Sequence, residues 1–174
     1  MEYHINLPIS DEDIIKLRAG DIVYLSGEMY TARDQAHKRI VELMEAGEAL
    51  PFKIEGQTVY YVGPCEAKGG MAIGSCGPTT AYRMDSFTPA LLDKGLKAMI
   101  GKGKRGDEVI RSMVKNRCVY FSATGGAAAL YAGAVTKCET VAFPELLSEA
   151  VRRIEVKDFP VIVAIDCLGN SLYK

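Results

Sequence analysis

The clearest chemical signals in the chain are cations set beside hydroxyls, glycines and the starts of apolar-periodic segments. Thr31-Ala32-Arg33-Asp34 reads as a helix start, with Thr31 able to cap and Asp34 suited to the positive end of the helix dipole. Arg33 is the misfit, because a cation in a first turn meets the unfavourable pole. It either projects into solvent or helps free amides hold an anion. Gly77-Pro78-Thr79-Thr80 spells a second start, proline being preset for the first helical position. Thr79 and Arg83 then share one face of the predicted helix, as a capped helix with a surface arginine or as a hydroxyl and guanidinium that grip a carboxylate. Gly101-Lys102-Gly103-Lys104-Arg105-Gly106 is a short basic loop in which glycine permits close backbone approach and lysine supplies a movable charge. It lacks the Walker spacing, and a solvated turn is its alternative.

Arg33, Arg83 and Lys102, joined by the neutral hydroxyl of Thr79, suit a small dianion such as a dicarboxylate, since arginine binds carboxylates through two parallel bonds. A complete catalytic set is lacking. His4 and His37 are the only histidines, and neither sits in a nucleophile or metal motif. His37 follows Asp34 in the same segment and is expected to make a structural hydrogen bond rather than to transfer a proton. Gly125-Gly126 lacks the third glycine of a dinucleotide turn, so close helix–sheet packing explains it better. The five cysteines (Cys65, Cys76, Cys118, Cys138 and Cys167) contain no CxxC pair. They are expected to be reduced and mostly buried, with no metal ligand set in this chain.

These residues must be positioned by alternating elements. Strands are expected at Asp21–Ser26, Gln57–Val62, Lys97–Ile100, Arg117–Ser122 and Val161–Asp166. Helical spacing joins Ala36, Ile40, Leu43 and Met44, and again Val109, Met113 and Val114; further helices are expected over Pro78–Met84, Pro89–Gly95, Gly126–Ala134 and Pro144–Arg153. Interleaved strands and helices predict an α/β domain, and Glu55-Gly56-Gln57 resembles a hairpin turn, which would make the sheet mixed. A chain of 174 residues, 48% apolar, is long enough for a single domain over 1–174 to bury its own core. A formal charge of −1 with mixed signs along the chain gives no broad basic face for a nucleic-acid backbone. Without a leader pattern or a membrane-length apolar run, a cytoplasmic protein free of membranes is expected.

Thr31-Ala32-Arg33-Asp34-Gln35-Ala36-His37, Gly77-Pro78-Thr79-Thr80, Arg83-Met84-Asp85-Ser86 and Gly101-Lys102-Gly103 together resemble the signature segments of the β-subunit of class I fumarases. The similarity runs from Gly20-Asp21 through Gly63-Pro64 and Gly125-Gly126-Ala127 to Asp166 and Gly169-Asn170. It implies a swivelling β/β/α domain, a central mixed sheet flanked by helices. It further implies a hydro-lyase for fumarate and malate, inactive alone, whose [4Fe–4S] cluster is held by a partner α-subunit in an assembly of two α- and two β-subunits. Residue by residue, the resemblance implies that Arg33, Arg83 and Lys102 hold substrate carboxylates and that Thr79 lies at the reacting carbon as the candidate base, which Lys102, a neighbouring arginine or the partner chain would have to help. A threonine hydroxyl is a weak acid and needs such help. Tartrate dehydratase β-subunits look similar throughout; Ala32, Asp85 and the Ala123–Gly126 stretch favour fumarase, and Tyr82 speaks against it. Two other readings stand beside these: a swivelling carrier domain with His37 as the phosphorylated group, and an anion-binding module without chemistry.

Overall fold

The structure, a computed structural model, describes residues 1–124 and 126–174. Gly125, part of the glycine pair singled out above, lies outside the described residues. Seven strands form one mixed sheet: β1 (Glu2–Asn6), β2 (Ile22–Thr31), β3 (Thr58–Tyr60), β4 (Ala98–Gly101), β5 (Val119–Ser122), β6 (Val135–Ala142) and β7 (Val151–Ile165). β1 to β5 pair in parallel in chain order, while β7 runs antiparallel to β2, β5 and β6. Because β7 contacts both β5 and β2, the hydrogen-bond path β2-β3-β4-β5-β7 returns to its start as a five-stranded ring.

Alternation along the ring strands produces two cores, as the two-residue period of a strand requires. Val23 and Leu25, Tyr60, Ala98 and Ile100, Val119 and Phe121, and Phe159, Val161 and Val163 share one buried cluster. All five ring strands contribute to it, so it fills the ring. Their neighbours Val59, Tyr61, Met99, Tyr120 and Ala164 belong to the second cluster. There they pack against α2 (Asp34–Glu45), α3 (Thr88–Asp93) and α4 (Asp107–Asn116) through Ala36 and Ile40, Leu91 and Leu92, and Val109 and Met113. Two shorter helices, α1 (Asp11–Lys16) and α5 (Ala128–Ala134), cover the first core with Ile14 and with Tyr131 and Ala132. The expected α/β class with a mixed sheet and flanking helices is what the chain adopts.

Several boundaries differ from expectation for local reasons. The span Pro144–Arg153 is not one helix: a 3₁₀ segment, Pro144–Glu149, is broken at Leu147 (φ 54°, ψ −116°), and Val151 to Arg153 already belong to β7. The span Pro78–Met84 holds only a 3₁₀ turn at Ala81–Met84, because the backbone of Thr79 and Thr80 is engaged with β3 and β4. Glu55-Gly56 does turn, with Gly56 at φ 79°, but β3 joins its neighbours in parallel and no hairpin forms there. β1 and β6 are strands that the sequence does not announce. Both are edge strands with few buried positions, so neither carries an apolar alternation to read.

Candidate functional site at the carboxyl ends of the parallel strands

The segments that carry Arg33, Thr79, Arg83 and Lys102 converge at one edge of the ring, where β2, β3 and β4 end. Arg33 follows β2 by two residues and is the N-cap of α2 in extended backbone (φ −119°, ψ −160°). Lys102 follows β4 directly. Between them the chain beyond β3 folds back so that Thr79 N–H donates to the Tyr61 carbonyl at 2.7 Å, while Lys102 N–H donates to the Thr79 carbonyl at 3.2 Å and Ala81 N–H to the Lys102 carbonyl at 2.8 Å. The backbone of Thr79 is thereby clamped between strand ends, and the next residue, Thr80, is extended and bridges to Lys102. The shared helical face expected for Thr79 and Arg83 does not exist; Thr79 is held by the strand ends, and Arg83 sits in the 3₁₀ turn that follows. Carboxyl ends of parallel strands are where open α/β sheets place ligands, since the chain leaves the sheet there as loops and helix starts.

Two glycines let this edge close up. A Cβ at Gly63 would lie 2.7 Å from an Arg33 guanidinium nitrogen, and one at Gly101 would lie 2.8 Å from the Tyr61 ring. At Gly101 only hydrogen fits, whereas a side chain at Gly63 would displace the Arg33 guanidinium. Lys102 and Arg83 are exposed and Thr79 is half-buried.

The start of α2 is arranged differently from its predicted form. Thr31 does not cap; it is buried at the end of β2, and its Oγ1 accepts from the Arg152 N–H at 3.1 Å. The first-turn Gln35 N–H is taken by Glu149 at 3.3 Å. Asp34 forms an ion pair with Arg83, joining the first and third motifs. His37 is fully buried, and its Nδ1 lies 2.8 Å from the Arg33 carbonyl, so Nδ1 carries the donated proton. Its ring meets Tyr61 edge-on at 5.4 Å. Burial, with the Arg105 charge adding to it, holds its pKa down at about 4. Three buried polar atoms here, Arg33 Nε, Asp34 Oδ1 and His37 Nε2, have no protein partner among the described residues.

Arg105, expected only as part of a basic loop, is instead a buried hub. Its Nε donates to Asp85 Oδ1 at 2.8 Å, and its terminal nitrogens donate to Tyr61 Oη at 3.0 Å and Thr88 Oγ1 at 2.8 Å. The guanidinium lies over the Tyr61 and Tyr120 rings, at 5.2 Å and 5.1 Å from their centroids. Burial opposes its charge, but Tyr61 and Asp85 outweigh it and its pKa is raised, so it stays ionised. Asp85 Oδ2 also accepts from Gly106 N–H at 2.7 Å. Neither Glu149 nor Arg105 carries a sequence signal for these roles; both act on residues remote in the chain.

Among the described residues no three His, Cys, Asp or Glu side chains are grouped for a metal. Burial pushes the Cys76 and Cys118 thiols up to about 12 each, away from the thiolate that a metal requires. Among the described residues no helix is long and apolar enough to cross a membrane.

The family description "Fumarase C-terminus" matches residues 1–174. Over its whole length the chain is 39% identical to the "Putative L(+)-tartrate dehydratase subunit beta" of Methanocaldococcus jannaschii, of which it covers 92%. It is 37% identical, over 98% of its residues, to the aerobic class I fumarate hydratase of Salmonella typhimurium. The Escherichia coli counterpart is 40% identical over 86% of the chain. The chain spans 30% and 28% of those two enzymes' lengths. With a match from its first residue to its last, the chain belongs to the fumarase C-terminus family.

Proposed function

We propose that this chain is the β-subunit of an iron–sulfur hydro-lyase that interconverts fumarate and malate together with a cluster-bearing α-subunit, in an assembly of two subunits of each kind, and that it is inactive alone. The supporting observation is the meeting of Arg33, Thr79, Arg83 and Lys102 at the carboxyl edge of β2 to β4. Three cations stand at this edge, and among the described residues only Arg83 is paired, with Asp34, a balance that suits an anionic ligand. Arg33 Nε, buried without a protein partner among the described residues, retains a donor for such a ligand. The single domain over 1–174 and a cytoplasmic location belong to the same reading.

In the dehydration direction malate loses a proton from the carbon beside one carboxylate and a hydroxyl from the next carbon, giving fumarate and water. Arg33 and Arg83 hold the carboxylates and Lys102 stabilises the negative charge that spreads onto the carboxylate next to the deprotonated carbon. Thr79 Oγ1 takes the proton, with the neighbouring Lys102 ammonium favouring the ionised hydroxyl. The partner's cluster, when bound, supplies a Lewis-acid iron for the departing hydroxyl. The cysteines of this chain do not fit that cluster, so its ligands are assigned to the α-subunit.

A second reading, a tartrate dehydratase β-subunit, is favoured by the archaeal relative, which matches as a separate chain over nearly its full length. Tyr82, exposed beside Arg83, departs from the fumarase pattern and adds to this reading. The carrier reading is disfavoured by the complete burial of His37. Co-expression with a cluster-bearing α-subunit, anaerobic reconstitution and assay of fumarate, malate and both tartrates tests the proposal. Turnover of fumarate and malate that needs both chains is expected; preference for tartrate would select the second reading, and no turnover of any of them would reject both.

A further inference from the structure

We propose that Arg105 is the positioning residue of this site: it fixes Lys102, Arg83 and Thr79 relative to one another without touching substrate. The inference rests on the hydro-lyase reading for its kinetic consequence, but the geometry that carries it is independent of that reading. Arg105 lies three residues beyond Lys102, and its side chain turns inward and is fully buried. Each of its bonds leads to a different segment of the site. Through Asp85 it holds the residue two past Arg83, and Asp85 closes the circuit by accepting from Gly106 N–H. Through Tyr61 it holds the residue whose carbonyl anchors Thr79, and through Thr88 it reaches α3. Tyr120, whose ring centroid lies 5.1 Å from the guanidinium, donates its hydroxyl to the Gly103 carbonyl at 2.9 Å and so ties the loop to β5.

A buried cation costs desolvation, which apolar residues of similar volume would avoid; a buried ion pair is therefore weak evidence for stability alone. The planar fork supplies directional bonds to Asp85, Tyr61 and Thr88 at once, which a lysine ammonium in the same space cannot reproduce. Loss of the fork frees the Lys102 loop from the Arg83 turn. Because reacting groups misplaced by about 1 Å lose on the order of 100-fold in rate, such loosening appears first in substrate binding and turnover.

The test compares wild type, Arg105→Lys and Asp85→Asn in the full chain assembled with its α-subunit. Asp85→Asn keeps the shape of the carboxylate but loses the ion pair and sets an amide against the Gly106 N–H. Two readouts are taken: KM and kcat for fumarate and malate, and hydrogen exchange of peptides covering 79–85 and 101–106 against 160–170. Both variants are expected to raise KM by on the order of 10-fold or more, with exchange faster in 79–85 and 101–106 and unchanged in 160–170. Unchanged KM with unchanged exchange overturns the proposal, as does a fall in kcat alone with faster exchange throughout, the mark of a merely structural residue. Should Arg105→Lys fail to fold, Asp85→Asn carries the same test. If the wild-type assembly turns over no dicarboxylate, the hydro-lyase reading fails, and the exchange pattern alone decides whether Arg105 positions the loop.

Discussion

Two buried polar clusters lie at opposite edges of the ring and are finished differently. At the edge where β7 ends beside the start of β2, Asp166 is buried and accepts from Ala19 N–H at 3.2 Å, from Leu168 and Asn170 N–H at 3.0 Å each, and from the Asn170 side chain at 3.0 Å. At the other edge Arg33, Asp34 and His37 each keep one buried polar atom without a protein partner among the described residues. Groups satisfied within the chain hold the chain together. Groups left without a protein partner keep capacity for a ligand or a water, and three of the four among the described residues gather at this edge, Thr58 Oγ1 at the start of β3 being the fourth.

Substitutions on the two edges should therefore separate cleanly. Thr79→Ala, at the incomplete edge, is expected to lower turnover by the assembled enzyme on the order of 100-fold to 10,000-fold, with the melting temperature of the chain little changed. A calorimetric scan beside the kinetic assay checks both halves. Asp166→Ala, at the finished edge, strands several donors and should cost about 3 to 4 kcal/mol of stability by urea denaturation. A stable Asp166→Ala chain would erase the contrast.

His37 sharpens it through pH. Its pKa is held down from 6.5 to about 4 in the folded chain, first by burial and then by the Arg105 charge. The unfolded chain therefore takes up a proton before the folded chain does. The stability in question is fully present above pH 6.5 and is lost as pH falls toward 4. The loss should amount to on the order of 3 kcal/mol, since each tenfold difference in proton affinity between the two states is worth about 1.4 kcal/mol. His37→Gln should flatten the stability profile over that window, measured by urea midpoints from pH 7 to pH 4. A profile of unchanged slope would contradict the assignment. The smallest effect belongs to Asp34→Asn: its ion pair with Arg83 is partly exposed, at 44% for Arg83 and 27% for Asp34, and the amide keeps the shape of the carboxylate, so stability should change by about 1 kcal/mol.

The two edges also differ in how far the sequence discloses them. Arg33, Thr79, Arg83 and Lys102 stand in short motifs whose glycines and cations are local, and the strands before them alternate or run apolar, so both the segments and the α/β class are directly legible. The true backbone geometry of Thr79 is not, because the proline that favours a helix start is overridden by bonds to Tyr61 and Lys102, which only the folded sheet supplies. Arg105 is hidden for a related reason: a cation between glycines reads as solvated, and nothing local reveals Asp85, Tyr61 and Thr88 converging on it. Pro144–Arg153 misleads because Leu146, Leu147, Ala150 and Val151 satisfy a helical spacing, although the helix breaks at Leu147 and Val151 already serves a strand.

The most direct measurement of the central claim is kcat/KM for fumarate hydration by the assembled enzyme, comparing wild type with Arg33→Ala at equal cluster content. A loss on the order of 100-fold or more at an unchanged melting temperature is the predicted result. An Arg33→Ala enzyme that hydrates fumarate as fast as wild type would contradict the assignment of this edge as the substrate site.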